Sequence, residues 1–496
     1  MRKEILAFSF VILSGFSIGQ TFDSIAYKYS QVINKEDLSK HLHVLASDEY
    51  EGRETGKKGQ KMAMDYLINQ FKSFGIKPYK NDSYVQEFSL IEQKNIGVTV
   101  ILGEKNFEIN KDFSFSPSIF KNQLINTELV FTGYGLEKDY QRVDVRNKAV
   151  FIINKVPKKI SDEKNSTKAK VAMAKTMGAK AVFIYVEGYK EELEKYEHYF
   201  LKARMQLSGE IKEDEIPVLK VTREFAENYF SDEKLKLDKI EKKGLKKLES
   251  FAKPVKIEMD RASSNLTSEN ILAFIPGTSK KEEIVVLTAH YDHIGTEDSL
   301  VFNGADDDGT GTVTLIEIAE AFTQAKKDGF EPKRSILIMP VSGEEKGLLG
   351  SKYYTNNPIY PLENTVTNLN IDMIGRYDKS HEKDSNYVYL IGSDKLSDEL
   401  HQVSEKVNKL YINTQLDYTF NDENDPNRFY YRSDHYNFAK KDIPVIFYFS
   451  GVHKDYHKAT DTVEKIDFKK TEKIARLVFL TAWELANREE RVKLND

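Results

Sequence analysis

Apolar residues in the second half of this chain switch repeatedly between two spacings. From Asn270 onward, short β-branched runs alternate with segments whose apolar positions recur every three to four residues. EEIVVLTAH reads as a strand and VTLIEIAEAFTQA as an amphipathic helix. SILIMPVS is a strand, followed by a helix through LLGSKYY. NLNIDMI is a strand, SDELHQVSEKVN a helix and IPVIFYFS a strand, and a final helix runs from about Lys469 to Asn487. Such alternation predicts an α/β fold of three layers, a mostly parallel mixed sheet between helices. Ligands of these sheets bind outside the carboxyl ends of the strands.

The first half has a different texture. From about Phe22 to Ser118 it opens with helical patterns: Leu38, His41, Leu42 and Leu45 share a face, and AMDYLINQF from Ala63 repeats the spacing. SDEYEGRETGKKG, between them, reads as a polar loop punctuated by glycine. Between Leu124 and Ser250, KAVFIINKV is a buried strand, and KVAMAKTMGAKAVFIYVEG is a helix, a glycine stop and another strand, a βαβ-like unit. IPVLKVT adds a strand, and Lys234 to Lys247 reads as an exposed helix or linker.

At 496 residues the chain calls for two domains plus a leader. Its 73 basic and 78 acidic side chains nearly cancel, leaving a formal charge of −5, and Lys and Glu are interspersed as on solvated faces, so no nucleic-acid partner is expected. Arg2 and Lys3, the apolar run Ile5 to Phe16 and the small residues around Ser17 to Gly19 predict a signal peptide over 1–19, cleaved before Gln20. The run is shorter than the roughly 20 apolar residues that span a bilayer, so no membrane attachment is expected after its removal, and the chain is expected to be secreted or periplasmic. Cysteine is absent, which excludes disulfides, thiol nucleophiles and thiolate ligands.

Five stretches carry the candidate chemistry: TAHYDHIG, NGADDDGTGT, SGEEKGLLGS, NLNIDMIGR and YHKATDTVEKID. Each sets a His or a carboxylate beside a strand-like run or a glycine-rich turn, and nitrogen and oxygen donors suit zinc and related divalent ions. His290 ends its strand, with Asp292 two residues on as a carboxylate able to hold the second imidazole nitrogen. Alone, a His-X-Asp is more often an ordinary surface or core pair. Asp306, Asp307 and Asp308 would repel unless a cation or a helix N-terminus absorbs the charge, and spacing leaves open which of them binds metal. Glu344 and Glu345 on one turn can split their work, one binding metal and the other free as a general base; two acidic residues opening a helix is an equal alternative. Asp372, in an apolar strand, needs a cation or several donors, and Asn368 and Asn370 are at hand. His457 lies on the loop after the last strand. Of the ten histidines, His293, His381, His401, His435 and His453 are further imidazoles in the same half of the chain, set aside here as alternatives.

In order, these stretches resemble the co-catalytic di-zinc aminopeptidase family, which includes secreted bacterial leucyl aminopeptidases and glutamate carboxypeptidases. LASDEYEGRETGKKG is similar to the family's N-terminal signature, and Leu124 to Thr222 resembles a protease-associated domain inserted into the peptidase domain. The resemblance implies a peptidase domain over 20–118 and 251–496, with a smaller, β-rich α/β insertion over 119–250. It implies two zinc ions bridged by Asp307, one completed by His290 and Asp372, the other by Glu345 and His457. Glu344 becomes the general base and Asp292 the partner of His290. YYRSDHYNF is similar to the segment lining the family's substrate pocket, which implies that Arg432 contacts substrate and that Tyr456 stabilises the tetrahedral intermediate.

Peptides are then the expected substrates, with an exported aminopeptidase as the leading reading. A carboxypeptidase, with Arg432 holding the terminal carboxylate, is the alternative, and a non-catalytic, receptor-like member is a third, which the intact ligand set speaks against.

Overall fold

The structure, a computed structural model, describes residues 22–79, 83–115, 123–155, 166–201, 203–210, 215–231, 237–239, 251–382, 384 and 386–495. The leader read over 1–19 and most of the Lys234–Lys247 segment lie outside them. The chain divides into two compact units, 1–86 with 269–496 and 87–268.

The larger unit is built on seven strands: β1 (Ala273–Ile275), β2 (Lys280–His290), β3 (Arg334–Val341), β4 (Thr365–Ile371), β5 (Tyr387–Ile391), β6 (Gln415–Asp417) and β7 (Val445–Phe449). They lie in the order β1-β3-β2-β4-β7-β5-β6. The central neighbours β3, β2, β4 and β7 run parallel, while β1 is antiparallel to β3 and β5 to β7. Side chains alternate across the sheet. Val285, Leu287 and Ala289 face one apolar layer with Leu369, Ile371 and Ile446, while Ile284 and Val286 face the other with Leu337, Met339 and Val445. Both faces are buried, which is why these strands read as continuous apolar runs.

Helices α1 (Lys35–Leu45), α2 (Lys58–Phe74), α3 (Gly311–Lys327) and α5 (Phe468–Asn487) supply the first layer, and α4 (Leu349–Asn356) packs with Phe438 on the second. The predicted three-layer α/β/α architecture is the one found. The SDEYEGRETGKKG stretch departs from expectation. Part of this polar stretch turns inward: Gly52, Arg53 and Thr55 are buried, and Gly52 takes a left-handed conformation in which a Cβ would strike the Gly295 carbonyl.

The smaller unit carries a nine-stranded sheet and an aromatic core in which Phe131, Phe151, Phe183, Phe225 and Tyr229 pack together. Its parallel heart is the βαβ unit foreseen: Ala149–Ile153, the helix Thr167–Thr176, Gly178 at φ +86°, then Ala181–Tyr185. The expected limits at 119 and 250 both fall inside it. Two long strands, Val85–Leu102 and Ala252–Ile271, join its sheet, and Gln123–Val130 pairs antiparallel with Ala252–Met259. These strands show ordinary polar–apolar alternation with no break in composition, so nothing local marks them as part of a separate unit.

Candidate metal centre

In the larger unit, three strand ends, the segment leading into α3 and one loop bring the five sequence stretches together. His290 is the last residue of β2 and pairs in register with Val341 of β3. Glu344 and Glu345 follow β3, Asp372 follows β4, and His457 lies on the loop between β7 and α5. Parallel neighbours end at one edge of the sheet, so residues separated by tens of positions in sequence meet there.

Asp307 is the hub. Its Oδ1 lies 3.2 Å from His290 Nε2 and its Oδ2 lies 3.1 Å from His457 Nε2. Asp372 Oδ1 is 3.7 Å from His290 Nε2, and Glu345 Oε2 is 3.3 Å from His457 Nε2. Two donor sets thus share Asp307. Neighbouring ligands on a tetrahedral zinc, with bonds of about 2.0–2.2 Å, stand about 3.4 Å apart. The observed spacings bracket that value.

The question of which aspartate faces the site has a geometric answer. Asp306 Oδ1 accepts from Gly375 N–H (2.7 Å) and from the Thr310 hydroxyl (3.0 Å). Asp308 Oδ1 accepts from Gly311 N–H at the start of α3 and from Met373 N–H, and its Oδ2 accepts from His290 N–H. Asp308 is therefore held by backbone donors and the helix N-terminus. Asp306 gives one oxygen to Gly375 and Thr310 and turns the other towards His453 Nε2 (3.3 Å), so the middle one is the aspartate that faces His290 and His457. Asp461 Oδ2 in turn accepts from the N–H groups of Asp306 and Asp307.

Burial and charge set the chemistry. His290, Asp307 and Asp372 are all buried, and for His290 and Asp307 burial alone would push the ionised form back towards neutrality. Asp307 is nonetheless held well below the usual carboxylate range, because contacts with His290 and His457 outweigh desolvation. His290 is raised well above an ordinary imidazole: burial opposes this, but Glu344, Asp307 and Asp372 surround it. Glu344 is raised by burial and by repulsion from Asp372 and Glu345, although His290 opposes the shift.

His290 Nε2, Asp307 Oδ2 and Glu345 Oε1 are buried yet make no hydrogen bond within the described residues. Buried polar groups are otherwise nearly always satisfied, so converging unpartnered donors of this kind fit divalent cations. His290 with Asp307 and Asp372 forms one such group, and His293 with Asp307 and Glu345 another.

The supporting contacts differ from expectation in one respect. His290 Nδ1 lies 3.0 Å from the Asp292 main-chain carbonyl and 3.9 Å from its carboxylate, so the backbone, rather than the side chain, orients the ring. The Asp292 carboxylate instead accepts from Thr55 Oγ1 (2.6 Å) and from Glu344 N–H (3.3 Å). This side chain is fully buried, with Oδ2 turned to Thr55 and Oδ1 to Glu344 N–H.

Above the carboxylates, Met373, Phe429, Phe447, Phe449 and Val452 form an apolar wall beside Asp307, Glu344 and Asp372. Arg432 and Tyr456 complete this lining, with Arg432 Nη2 3.5 Å from Tyr456 Oη and the guanidinium over the Phe429 ring. Tyr456 is raised far above an ordinary phenol by burial and by Asp307, Glu345 and Glu344, so its hydroxyl keeps its proton.

Sequence reasoning passed over three contributors. Arg53, fully buried, donates to the carbonyls of Leu45, Tyr291, Asn303 and Gly304, tying the segment after His290 to the one before Asp307. Ser433 donates to Asp372 Oδ2 (2.7 Å) and accepts from Asn370 Nδ2 (2.8 Å). His293, set aside as an alternative imidazole, is buried beside Glu345. An arginine inside a glycine-punctuated polar stretch was the one available signal for the first, whereas Ser433 lay within YYRSDHYNF and His293 within TAHYDHIG, with nothing local to single either out.

Residues 270–482 match the profile of Peptidase family M28. A "Probable leucine aminopeptidase" of Arthroderma benhamiae is 32% identical over 223 residues, covering 44% of this chain and 57% of the relative, so the chain spans a little over half of that protein's length. "Aminopeptidase YwaD" of Bacillus subtilis is 27% identical over 382 residues, 75% of this chain and 70% of the relative. Among solved structures, an aminopeptidase from Aneurinibacillus sp. strain AM-1 superposes with a TM-score of 0.61 at 19% identity, covering 94% of this chain and 97% of that one. BSAP, a zinc aminopeptidase from Bacillus subtilis, gives 0.51 at 19% identity, covering 94% and 98%. At these identities the structural likeness concerns the fold.

Proposed function

Since residues 270–482 match the profile of Peptidase family M28, we propose that this chain is an exported, zinc-dependent exopeptidase that hydrolyses the N-terminal bond of peptides. The observation that carries the reading is the two-sided use of Asp307, with His290 3.2 Å from one oxygen and His457 3.1 Å from the other. Two ions held by His290, Asp307 and Asp372 and by Asp307, Glu345 and His457 would supply Lewis acidity and lower the pKa of a shared water.

The chain's own residues do the rest. Glu344, its side chain 12% exposed and 4.0 Å from His290 Nε2, takes the proton from the attacking water at its carboxylate. It later delivers that proton to the departing amine, and its raised proton affinity suits both steps. Tyr456, kept protonated by burial, offers its hydroxyl to the oxyanion that develops on the scissile carbonyl. The apolar wall of Met373, Phe429, Phe447 and Phe449 excludes water and suits a bulky apolar side chain on the residue being removed. The leader over 1–19 supports export, and no helix of the described residues is long and apolar enough to cross a membrane. The smaller unit is read as a protease-associated domain.

One observation favours a carboxypeptidase: exposed Arg432 at the rim is a ready partner for a terminal carboxylate. The names of the relatives favour the aminopeptidase. The deciding experiment offers the purified protein a peptide with a free N-terminus and its N-acetylated twin, with and without chelator. Cleavage of the free peptide alone, abolished by chelator, is expected. Cleavage of the acetylated twin from its C-terminal end would replace this reading with the carboxypeptidase.

A further inference from the structure

Tyr456 and His457 sit on a loop, and the residue before them is tied down by three donors. Asp455 is buried, and both its oxygens are taken. Oδ2 accepts from Arg376 Nη2 (2.9 Å), while Oδ1 accepts from the Thr460 hydroxyl (2.7 Å) and from Lys465 Nζ (2.9 Å). Thr460 and Lys465 follow on the same stretch of chain, but Arg376 does not. It lies on the segment that leaves β4, shortly after Asp372, and its side chain is 12% exposed. A largely buried ion pair thus joins the segment that carries Asp372 to the loop that carries His457.

Such a carboxylate could be another metal ligand or an anchor for one. Both Asp455 oxygens are engaged by donors of the chain itself, and Asp455 belongs to neither of the donor groups around Asp307. On the far side of His457 the loop is held again, where Asp461 Oδ2 accepts from the N–H groups of Asp306 and Asp307. Between these two anchors His457 takes a φ of +56°, which a residue other than glycine keeps only where its surroundings impose it. In that conformation Nε2 stands 3.1 Å from Asp307 Oδ2 and 3.3 Å from Glu345 Oε2.

Building on the two-ion reading above, we propose that Asp455 is a positioning residue: by tying its loop to Arg376, it holds His457 on the cation shared with Asp307 and Glu345. A ligand borne on a loop has no strand to fix it, so the ion pair supplies the orientation that a direct hydrogen bond gives other ligands.

The test uses the full chain with zinc as the probe. Asp455→Ala removes the anchor. Arg376→Met cuts only the tether to the segment after β4 and leaves Asp455 with Thr460 and Lys465. Zinc content is read by elemental analysis, zinc affinity by competition with a chromogenic chelator, and folding by circular dichroism. Wild type is expected to hold two equivalents. Both variants are expected to bind one of them about 10–100-fold more weakly and the other unchanged. Adding Asp455→Ala to His457→Ala, which lacks the affected ion, should leave the affinity for the remaining ion as it was. Wild-type affinity for both ions in the single variants would overturn the proposal. Equal weakening of both ions, or a further loss in the His457→Ala background, would also overturn it, since Asp455 would then support the fold at large. If Asp455→Ala does not fold, Arg376→Met decides alone, selective weakening supporting the proposal and any other result ending it. Fewer than two ions in wild type would bring down the two-ion reading and the proposal with it, whereas two ions without a selective loss would end the proposal alone.

Discussion

The two halves of the centre use the same kinds of ligand but hold them differently. His290 and Asp372 leave adjacent central strands, and the His290 side chain is 1% exposed. A main-chain carbonyl orients His290, and Ser433 holds Asp372. His457 sits on a loop, its side chain 39% exposed, stacked on Tyr456 and with a backbone φ of +56°. A left-handed conformation in a residue other than glycine costs free energy and persists only where the surroundings impose it. Both ligands proper to one half are thus fixed at strand ends, whereas in the other only Glu345 is, and His457 is held by a loop. Strand-held groups move less than loop-held ones, so the Glu345–His457 half is the one expected to yield first.

The most drastic way to break the comparison is to remove what the halves share. Asp307→Ala should abolish binding of both ions and all turnover, as measured by elemental analysis and peptide hydrolysis; retention of one tightly bound ion would mean that the halves do not share a bridge. Glu344→Gln tests the opposite extreme. Both ions should remain while turnover falls by about 10²–10⁴-fold, the usual contribution of a general base. Loss of metal in that variant would reverse the roles of Glu344 and Glu345.

Smaller perturbations sharpen the difference between halves. Ser433→Ala frees the spare oxygen of Asp372 and should weaken only the His290 half, by about 10–100-fold in zinc affinity. In wild type, titration with chelator should release one equivalent before the other, and His457→Ala should lack that early equivalent. Simultaneous release would indicate that the loop and the strands hold their ions equally.

A buried carboxylate that has no cation provides the reference point. Glu317 on α3 is fully buried, with burial pushing it up to about 8, and the neighbouring His41, 3.7 Å away, is lowered to about 4 by burial. Because Glu317 is raised above its unfolded value, its favourable contribution is complete below about 4.5 and is lost as pH rises through about 8. Glu317→Gln should therefore raise the thermal midpoint at pH 8 by a few degrees and leave it nearly unchanged at pH 4, as read by scanning calorimetry. This is the smallest effect of the series. Equal midpoints at both pH values would mean that Glu317 is charged in the folded state.

Much of the architecture was legible from patterning alone. Apolar runs buried on both faces differ from amphipathic helices in spacing, and their alternation specifies parallel strands that end at one edge, so His290, Glu344, Glu345 and Asp372 could be assigned to a common site. Arg53 shows why legibility stopped. Its stretch is polar and rich in glycine, as surface loops are, yet four carbonyls from three segments satisfy its guanidinium in the interior. Three of those partners are more than 230 residues away in sequence, and no local pattern encodes them.

What the amino-acid order determined by itself was therefore the strands, the helices and the kinds of donor placed at their ends, because these follow from interactions over a few residues. Packing decided that Asp307 rather than its neighbours faces the cavity, that His293 stands by Glu345, and that Ser433 meets Asp372. Each depends on which backbone donors and side chains arrive from segments far along the chain, and only the folded core brings those into hydrogen-bond range.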